Sequence, residues 1–234
     1  MLSFIVPAHD EEPLIGATLR AIRFAAGPSG RPYELIVVDD ASTDRTAAIA
    51  ATEGARVVSL GARHIARARN AGAAAATGDM LVFVDADTLV TPEVVAAAIE
   101  AIDAGADGGG AAVRLDAASQ LYAKALMRLS TLGGRWLRWA SGCFVFCTRQ
   151  AFVRAGGFDE RLYAGEEIAL SRTFKRLGRF VMLREHVVTS GRKLRTHSLR
   201  ELVWTLTRIT LGGRRALESR ARLELWYGPR RPDI

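Results

Sequence analysis

Residues 80–87 read Met80-Leu81-Val82-Phe83-Val84-Asp85-Ala86-Asp87. The apolar run Met80 to Val84 has the length of a buried strand, and it ends in two carboxylates separated by one alanine. A strand that is apolar on both faces belongs in a sheet covered by helices on both sides. In open sheets of that kind, ligands bind beyond the carboxyl ends of the strands. This stretch therefore points both to a fold class and to the place where the chemistry sits.

The same signals recur upstream. Residues 2–8, 33–38 and 56–60 are short apolar runs, read as strands. Between them lie helical patterns. Pro13 opens one through Leu14, Thr18, Leu19, Ile22 and Ala25, and Gly27-Pro28 ends it. Residues 44–52 form a second, with Ser42 or Thr43 as its cap. Residues 65–76 form a third, stopped near Gly78. Downstream of Asp87, Thr91 caps a helix that starts at Pro92, where proline suits a first turn. Regular alternation of strands and helices predicts an α/β domain with a mainly parallel, mixed sheet.

The second half is less regular. Residues 108–115 and 143–147 read as strands, 117–132 and 166–177 as helices, and Val187-Val188 as strand-like. Residues 198–211 are amphipathic, with Leu199, Leu202, Val203, Leu206 and Ile209 on one face.

The chain has 234 residues, 49% of them hydrophobic, which is ample for a core, and a formal net charge of +7. From Arg184 onward there are twelve basic and five acidic residues, so this region alone carries the whole surplus. A basic tail favours an anionic partner. No apolar run reaches the roughly 18 to 20 residues of a transmembrane helix. Residues 1–7 are too short and too uncharged for a signal peptide, so the expected location is cytoplasmic. Cys143 and Cys147, four apart in apolar surroundings, read as small core residues rather than zinc ligands.

Three acidic clusters fall at strand ends: Asp10-Glu11-Glu12, Asp39-Asp40, and Asp85 with Asp87. Carboxylates brought together in this way repel one another unless a cation or hydrogen-bond donors compensate. Asp85 and Asp87 suit magnesium or manganese, whose shells are commonly completed by substrate phosphates. No G-x-G-x-x-G or Walker-type loop follows the first strand, which disfavours an NAD-dependent oxidoreductase. A sugar nucleotidyltransferase would show a glycine- and arginine-rich loop where this chain has residues 7–12. A nucleic acid would meet a carboxylate-rich sheet edge, so no nucleic-acid partner is expected. A non-catalytic nucleotide-sugar-binding protein remains the reading from a different functional class.

Collinear motifs sharpen the picture. They are Val6-Pro7-Ala8-His9-Asp10-Glu11-Glu12, Val37-Val38-Asp39-Asp40-Ala41-Ser42-Thr43-Asp44, Ala68-Arg69-Asn70-Ala71-Gly72 and Thr77-Gly78-Asp79. Phe83-Val84-Asp85-Ala86-Asp87, Gly156-Gly157-Phe158-Asp159-Glu160 and Gly165-Glu166-Glu167 follow. In this order they resemble a family 2 glycosyltransferase of the GT-A fold.

The resemblance implies an inverting transfer from a nucleotide-diphosphate sugar, a UDP-sugar by family frequency, to a carbohydrate or lipid-linked acceptor. It implies that Pro7, Ala8 and Glu11 line the nucleotide pocket and that Asp39 or Asp40 contacts base or ribose. Arg69 would lie near the donor or brace the acidic cluster. Asp85 would face ribose or metal, and Asp87 metal and diphosphate. Glu167 would stand at the base position beside Glu166. Two departures are visible: Asp10 stands where the family often has Asn, and Glu166-Glu167 replaces the usual Glu-Asp.

Other candidates come from the residues themselves. Trp136 and Trp139, near Gly142, suit stacking on an acceptor sugar, and equally suit a core. Arg192 and Lys193, with Arg195 nearby, suit the donor diphosphate. His197 suits an extra metal ligand or a plain surface position. The expected organisation is a GT-A domain over 1–197, with a nucleotide-binding half (1–115) and an acceptor half (116–197). Residues 198–234 form a basic amphipathic appendage that meets an anionic membrane surface, the catalytic domain or the second subunit of a homodimer.

Overall fold

The computed structural model describes residues 1–116, 140, 142–196, 199–223 and 227–228, with only some side chains described between 193 and 222. Strands β1 (Leu2–Ala8), β2 (Tyr33–Asp40), β3 (Arg56–Leu60) and β4 (Met80–Val84) alternate with helices α1 (Ile15–Ala26), α2 (Thr46–Thr52) and α3 (Ile65–Ala75). Then come β5 (Thr88–Leu89), α4 (Pro92–Asp103), β6 (Gly108–Leu115), β7 (Phe144–Thr148) and α5 (Arg149–Ala155). The described chain continues through α6 (Glu166–Leu177), β8 (Phe180–Thr189), α7 (Arg192–Thr196) and α8 (Leu199–Leu217).

The eight strands of the described residues form one sheet in the order β3-β2-β1-β4-β7-β6-β8-β5. The first four are mutually parallel. β7 runs antiparallel to β4 and β6, β8 is parallel to β6, and β5 is antiparallel to β8. The sheet is mixed, as expected. Its parallel half brings the ends of β1, β2 and β4 to one edge, and the register pairs Ala8 with Asp39.

Period-two alternation divides the core between the two faces. Leu2, Phe4, Val6 and Ala8 of β1 pack with Ile15, Leu19 and Ile22 of α1 and with Val94, Val95 and Ala98 of α4. Ile5 points to the opposite layer, with Ala68 of α3, Phe83, Phe152, Phe158 and Phe174. The fully buried Ser3 is tolerated because its hydroxyl donates to Glu34 and accepts from the Gly78 N–H.

Local details differ from the sequence reading. Thr91 caps α4 as expected, accepting from the Val94 N–H at 3.4 Å. α1 starts at Ile15, two residues after Pro13. α2 starts at Thr46, with neither Ser42 nor Thr43 as its cap. Those two hydroxyl residues bind Asp10 instead: Ser42 Oγ accepts from its N–H, and the Thr43 N–H donates to its carboxylate. Helix α5 and strand β5 were not anticipated. β8 spans ten residues where only Val187-Val188 read as strand. α8 runs on from the amphipathic stretch and kinks at Gly213 (φ 52°, ψ −139°). The helix expected over 117–132 lies outside the described residues.

Candidate active site

β4 is buried along its whole length, so its polar continuation emerges at the sheet edge. The Asp85 N–H donates to the Cys143 carbonyl at 3.3 Å, and the Thr88 N–H donates to the Asp85 carbonyl at 3.1 Å. This turn exposes Asp85 and Asp87 to a cavity of ≈ 450 Å³. Pro7, Ala8, Glu11 and Asp40 line the same cavity, as do Arg69, Gly142, Glu166 and Glu167. Residues spread over 160 positions thus meet in one space. Asp87 Oδ1 accepts from the hydroxyls of Thr88 (3.4 Å) and Thr189 (3.2 Å).

Arg69 is the hub. It comes from the middle of α3 and is almost wholly buried. One guanidinium nitrogen, Nη1, donates to Glu166. The other, Nη2, donates to Asp85 at 2.8 Å and to the Gly142 carbonyl at 3.0 Å. The Phe158 ring covers the guanidinium, 5.3 Å from its carbon. Burial pulls the Arg69 pKa down, but Asp85, Glu166 and Glu167 overcome this and raise it overall, so Arg69 stays charged.

Glu166 and Glu167 open α6, where the helix dipole favours negative charge. Glu166 is buried and committed to Arg69. Glu167 is half-buried beside it. Burial and the Glu166 charge push its carboxyl up to about 8, against the pull of Arg69. The pair thus divides into a charged, fixed member and a member poised to exchange a proton.

The Arg69-Asn70-Ala71-Gly72 segment does three jobs in one helical turn. Arg69 faces the cavity. Asn70 donates to the Phe158 carbonyl (3.0 Å) and to Glu160 (2.9 Å), and accepts from the Phe158 N–H (2.9 Å). That pins the Gly156-Gly157-Phe158-Asp159-Glu160 turn to α3. Gly72 lies against the sheet: a Cβ there would meet Ile5 at 2.3 Å and Val38 at 3.0 Å.

These motifs and this geometry agree with one family. The family model described as "Glycosyl transferase family 2" matches residues 3–159. The chain belongs to glycosyl transferase family 2. The match ends before Glu166, so the two glutamates lie beyond it.

An undecaprenyl-phosphate 4-deoxy-4-formamido-L-arabinose transferase of Klebsiella pneumoniae is 30% identical over 135 residues, 55% of this chain and 41% of that protein. Succinoglycan biosynthesis protein ExoO of Rhizobium meliloti is 34% identical over 119 residues, 49% of this chain and 32% of that one. The chain therefore matches less than half the length of these relatives.

Among solved structures, the Pyrobaculum calidifontis mannosyltransferase PcManGT, in complex with GDP-Man and Mn²⁺, superposes with a TM-score of 0.65. Its identity is 20%, over 93% of this chain and 62% of that one. Mycobacterium tuberculosis glucosyl-3-phosphoglycerate synthase with Mn²⁺, UDP and phosphoglyceric acid gives 0.65 at 25% identity, over 99% and 80%. The family 2 domain has the GT-A fold.

Several residues expected to touch the donor have protein partners. Asp40 is buried, and Oδ1 accepts from the N–H groups of Ala62 (2.8 Å) and Arg63 (2.7 Å), while Oδ2 accepts from that of His64 (2.5 Å). It thereby orders the loop leading into α3. Asp39 has a buried oxygen, Oδ1, without a hydrogen-bond partner, and does not line the cavity. Arg192 Nη2 reaches both oxygens of Glu11, at 2.8 and 2.7 Å, and ties the start of α7 to the β1–α1 loop. Trp136, Trp139 and His197 lie outside the described residues, as does the Lys193 side chain.

Among the lining residues that sequence reasoning missed are Arg63, His64, Tyr163 and Tyr227. His64 is buried, and its ring lies 4.3 Å from that of Tyr163. Burial holds His64 below its usual pKa, hence neutral. Nothing in spacing joins these residues. The only sequence signal was that Tyr163 stands close before Gly165-Glu166-Glu167.

Proposed function

We propose that the chain transfers a sugar from a nucleoside-diphosphate sugar, with UDP as the first candidate, to an acceptor hydroxyl or a lipid phosphate. The transfer inverts the anomeric carbon and uses a divalent cation. The observation that carries this reading is the meeting of two carboxylate pairs on one cavity: Asp85 with Asp87, and Glu166 with Glu167. The GDP-Man, UDP and Mn²⁺ of the solved relatives support it, as does the undecaprenyl phosphate in the name of the Klebsiella protein.

The donor set fits magnesium or manganese. Both are hard cations that take carboxylate oxygens and keep positions for substrate phosphates and water. Both described partners of the Asp87 carboxylate bind the same oxygen, Oδ1. Among the described residues no group of three or more His, Cys, Asp or Glu forms a cage. That agrees with a cation shared with the donor diphosphate. When bound, the cation supplies neutralisation of the leaving diphosphate.

The chain's own residues do the rest. Arg69 holds Asp85 and Glu166 in place. An acceptor hydroxyl oxygen attacks C1 of the sugar, and its proton passes to the Glu167 carboxylate. The bond from C1 to the β-phosphate oxygen breaks, and the nucleoside diphosphate leaves. A lipid phosphate acceptor is already anionic and needs no base. The raised pKa of Glu167 favours the hydroxyl, whereas the Klebsiella relative's name favours the phosphate.

Among the described residues no helix is long and apolar enough to cross a membrane. We place the protein at the surface of an anionic bilayer in the cytoplasm, through the basic α8 region and its exposed Trp204. The deciding experiment is a thermal-shift screen of UDP, GDP, CDP and dTDP sugars with and without Mn²⁺, followed by transfer assays with the donor that binds. A donor at 100 Kd should stabilise by about 2.7 kcal/mol. No shift with any donor would sink the reading.

A further inference from the structure

Tyr163 lies in the loop that leads into α6, the helix opened by Glu166 and Glu167. Both of its backbone groups are held by the C-terminal segment. Its N–H donates to the Leu217 carbonyl at 2.8 Å. Its carbonyl accepts from the Tyr227 hydroxyl, also at 2.8 Å. The same hydroxyl oxygen accepts from the Ile65 N–H at 3.4 Å. Ile65 is the first residue of α3, and the first-turn amides of a helix have no partner within it.

The Tyr227 hydroxyl therefore joins the entrances of two helices. These are the helices whose side chains, Arg69 and Glu166, pair inside the cavity. The ring of Tyr227 stands edge-on to Tyr163, with centroids 5.5 Å apart. Tyr227 also lines the cavity. The segment that delivers it is anchored: Ala216 and Leu223 are fully buried, and Arg214 reaches Asp159 at 3.0 Å. Gly165, the cap of α6, sits at φ 75°, a left-handed conformation that needs outside support to be unique.

We infer that Tyr227 is a positioning residue. Its hydroxyl clamps the starts of α3 and α6 and so fixes where Glu167 stands relative to the donor. On this view residues 214–223 and Tyr227 belong to the catalytic unit. The inference rests on the proposed role of Glu167 as base. Burial keeps the Tyr227 phenol protonated, as a donor to Tyr163 must be.

The test is Tyr227→Phe, which keeps the ring and removes the clamp. Three quantities are measured: melting temperature, transfer kinetics with donor affinity, and hydrogen exchange over residues 61–68 and 160–168. The expected result is a kcat lower by about 10- to 100-fold at nearly constant donor Kd and Tm, because a misplaced base slows the chemical step alone. Exchange in both segments should quicken.

Unchanged kcat and unchanged exchange would overturn the inference. So would a parallel fall of kcat, affinity and Tm, which would make the hydroxyl only a stabiliser of the fold. A wild-type protein that transfers nothing would defeat the proposed function separately. Exchange would then decide the clamp: faster exchange confined to the two segments supports it, and unchanged exchange overturns it.

Discussion

Arg69, from the middle of α3, pairs with Glu166, the first residue of α6, and both side chains are almost wholly buried. Charges in such a place are tolerated only because each satisfies the other, and Asp85 shares the same guanidinium. Removing one partner leaves the others uncompensated. Arg69→Met should therefore destabilise the fold by about 3 to 5 kcal/mol. Urea unfolding checks this, and a loss below about 1 kcal/mol, the range of exposed pairs, would show that the network is solvated.

Asp87→Asn keeps a hydrogen-bond acceptor for Thr88 and Thr189 and removes the charge. Binding of UDP in the presence of Mn²⁺ should be largely lost, with the melting temperature of the free protein little changed. Calorimetric titration decides the matter. Equal affinity in both proteins would end the assignment of the cation to Asp87.

Glu167→Gln keeps the shape and removes the proton acceptor. With a hydroxyl acceptor, turnover should fall by roughly 10² to 10⁴ while donor affinity holds. With a lipid phosphate acceptor, the fall should be small, so this variant also sorts the two acceptor classes. In the wild type the raised Glu167 carboxyl is protonated at low pH and cannot accept a proton. For a hydroxyl acceptor, kcat/KM should climb with pH and level off above about 8. Stability runs the other way. A carboxyl whose folded pKa is raised contributes stability below its unfolded value, and that contribution is lost as pH rises through the folded one.

Gly72→Ala tests how closely α3 approaches the sheet. The new methyl would sit 2.3 Å from Ile5. The helix must shift, at a cost of about 1 to 3 kcal/mol. The shift would also move Arg69, so activity should fall with stability. A variant as stable as the wild type would mean that the α3–sheet contact yields easily.

Membrane association is tested on α8 itself. Sedimentation with anionic vesicles should capture the protein at low salt and release it at high salt, since each basic residue near such a surface contributes about 1 kcal/mol. The double change Arg200→Glu and Arg208→Glu should reduce capture without affecting donor binding. If vesicles are ignored at every salt concentration, α8 meets something else, and a concentration-dependent sedimentation coefficient would identify a homodimer.

Much of this site was legible in the chain because it is built from strand ends. A buried strand announces itself by an apolar run, and the residue after the run must lie at the sheet edge. Asp85 and Asp87 could be placed at that edge by this rule, whereas Pro7 and Ala8, the last residues of β1, were placed on the cavity by the family resemblance. Thr91-Pro92 marked the start of α4 for a similarly local reason, a side chain that satisfies an amide three residues on.

What the sequence left open depends on contacts between distant segments. Asp40 reads like Asp85, a carboxylate at the end of a strand, yet three loop amides claim it. Arg69 by spacing alone reads like any helical arginine; the family resemblance left it near the donor or bracing the acidic cluster, and burial beside Glu166 and Asp85 makes it the hub. The unequal roles of Glu166 and Glu167 follow from which of the two that arginine reaches. Tyr227 joins the cavity wall from far along the chain. Spacing carries no trace of such pairings, because they are set by the packing of one helix against another and by the need to satisfy each buried polar group. The sequence by itself determined the alternating strands and helices of the first half and the acidic edge; the tertiary structure decided how the second half completes the sheet, which of those acids are already bound and which remain to do chemistry.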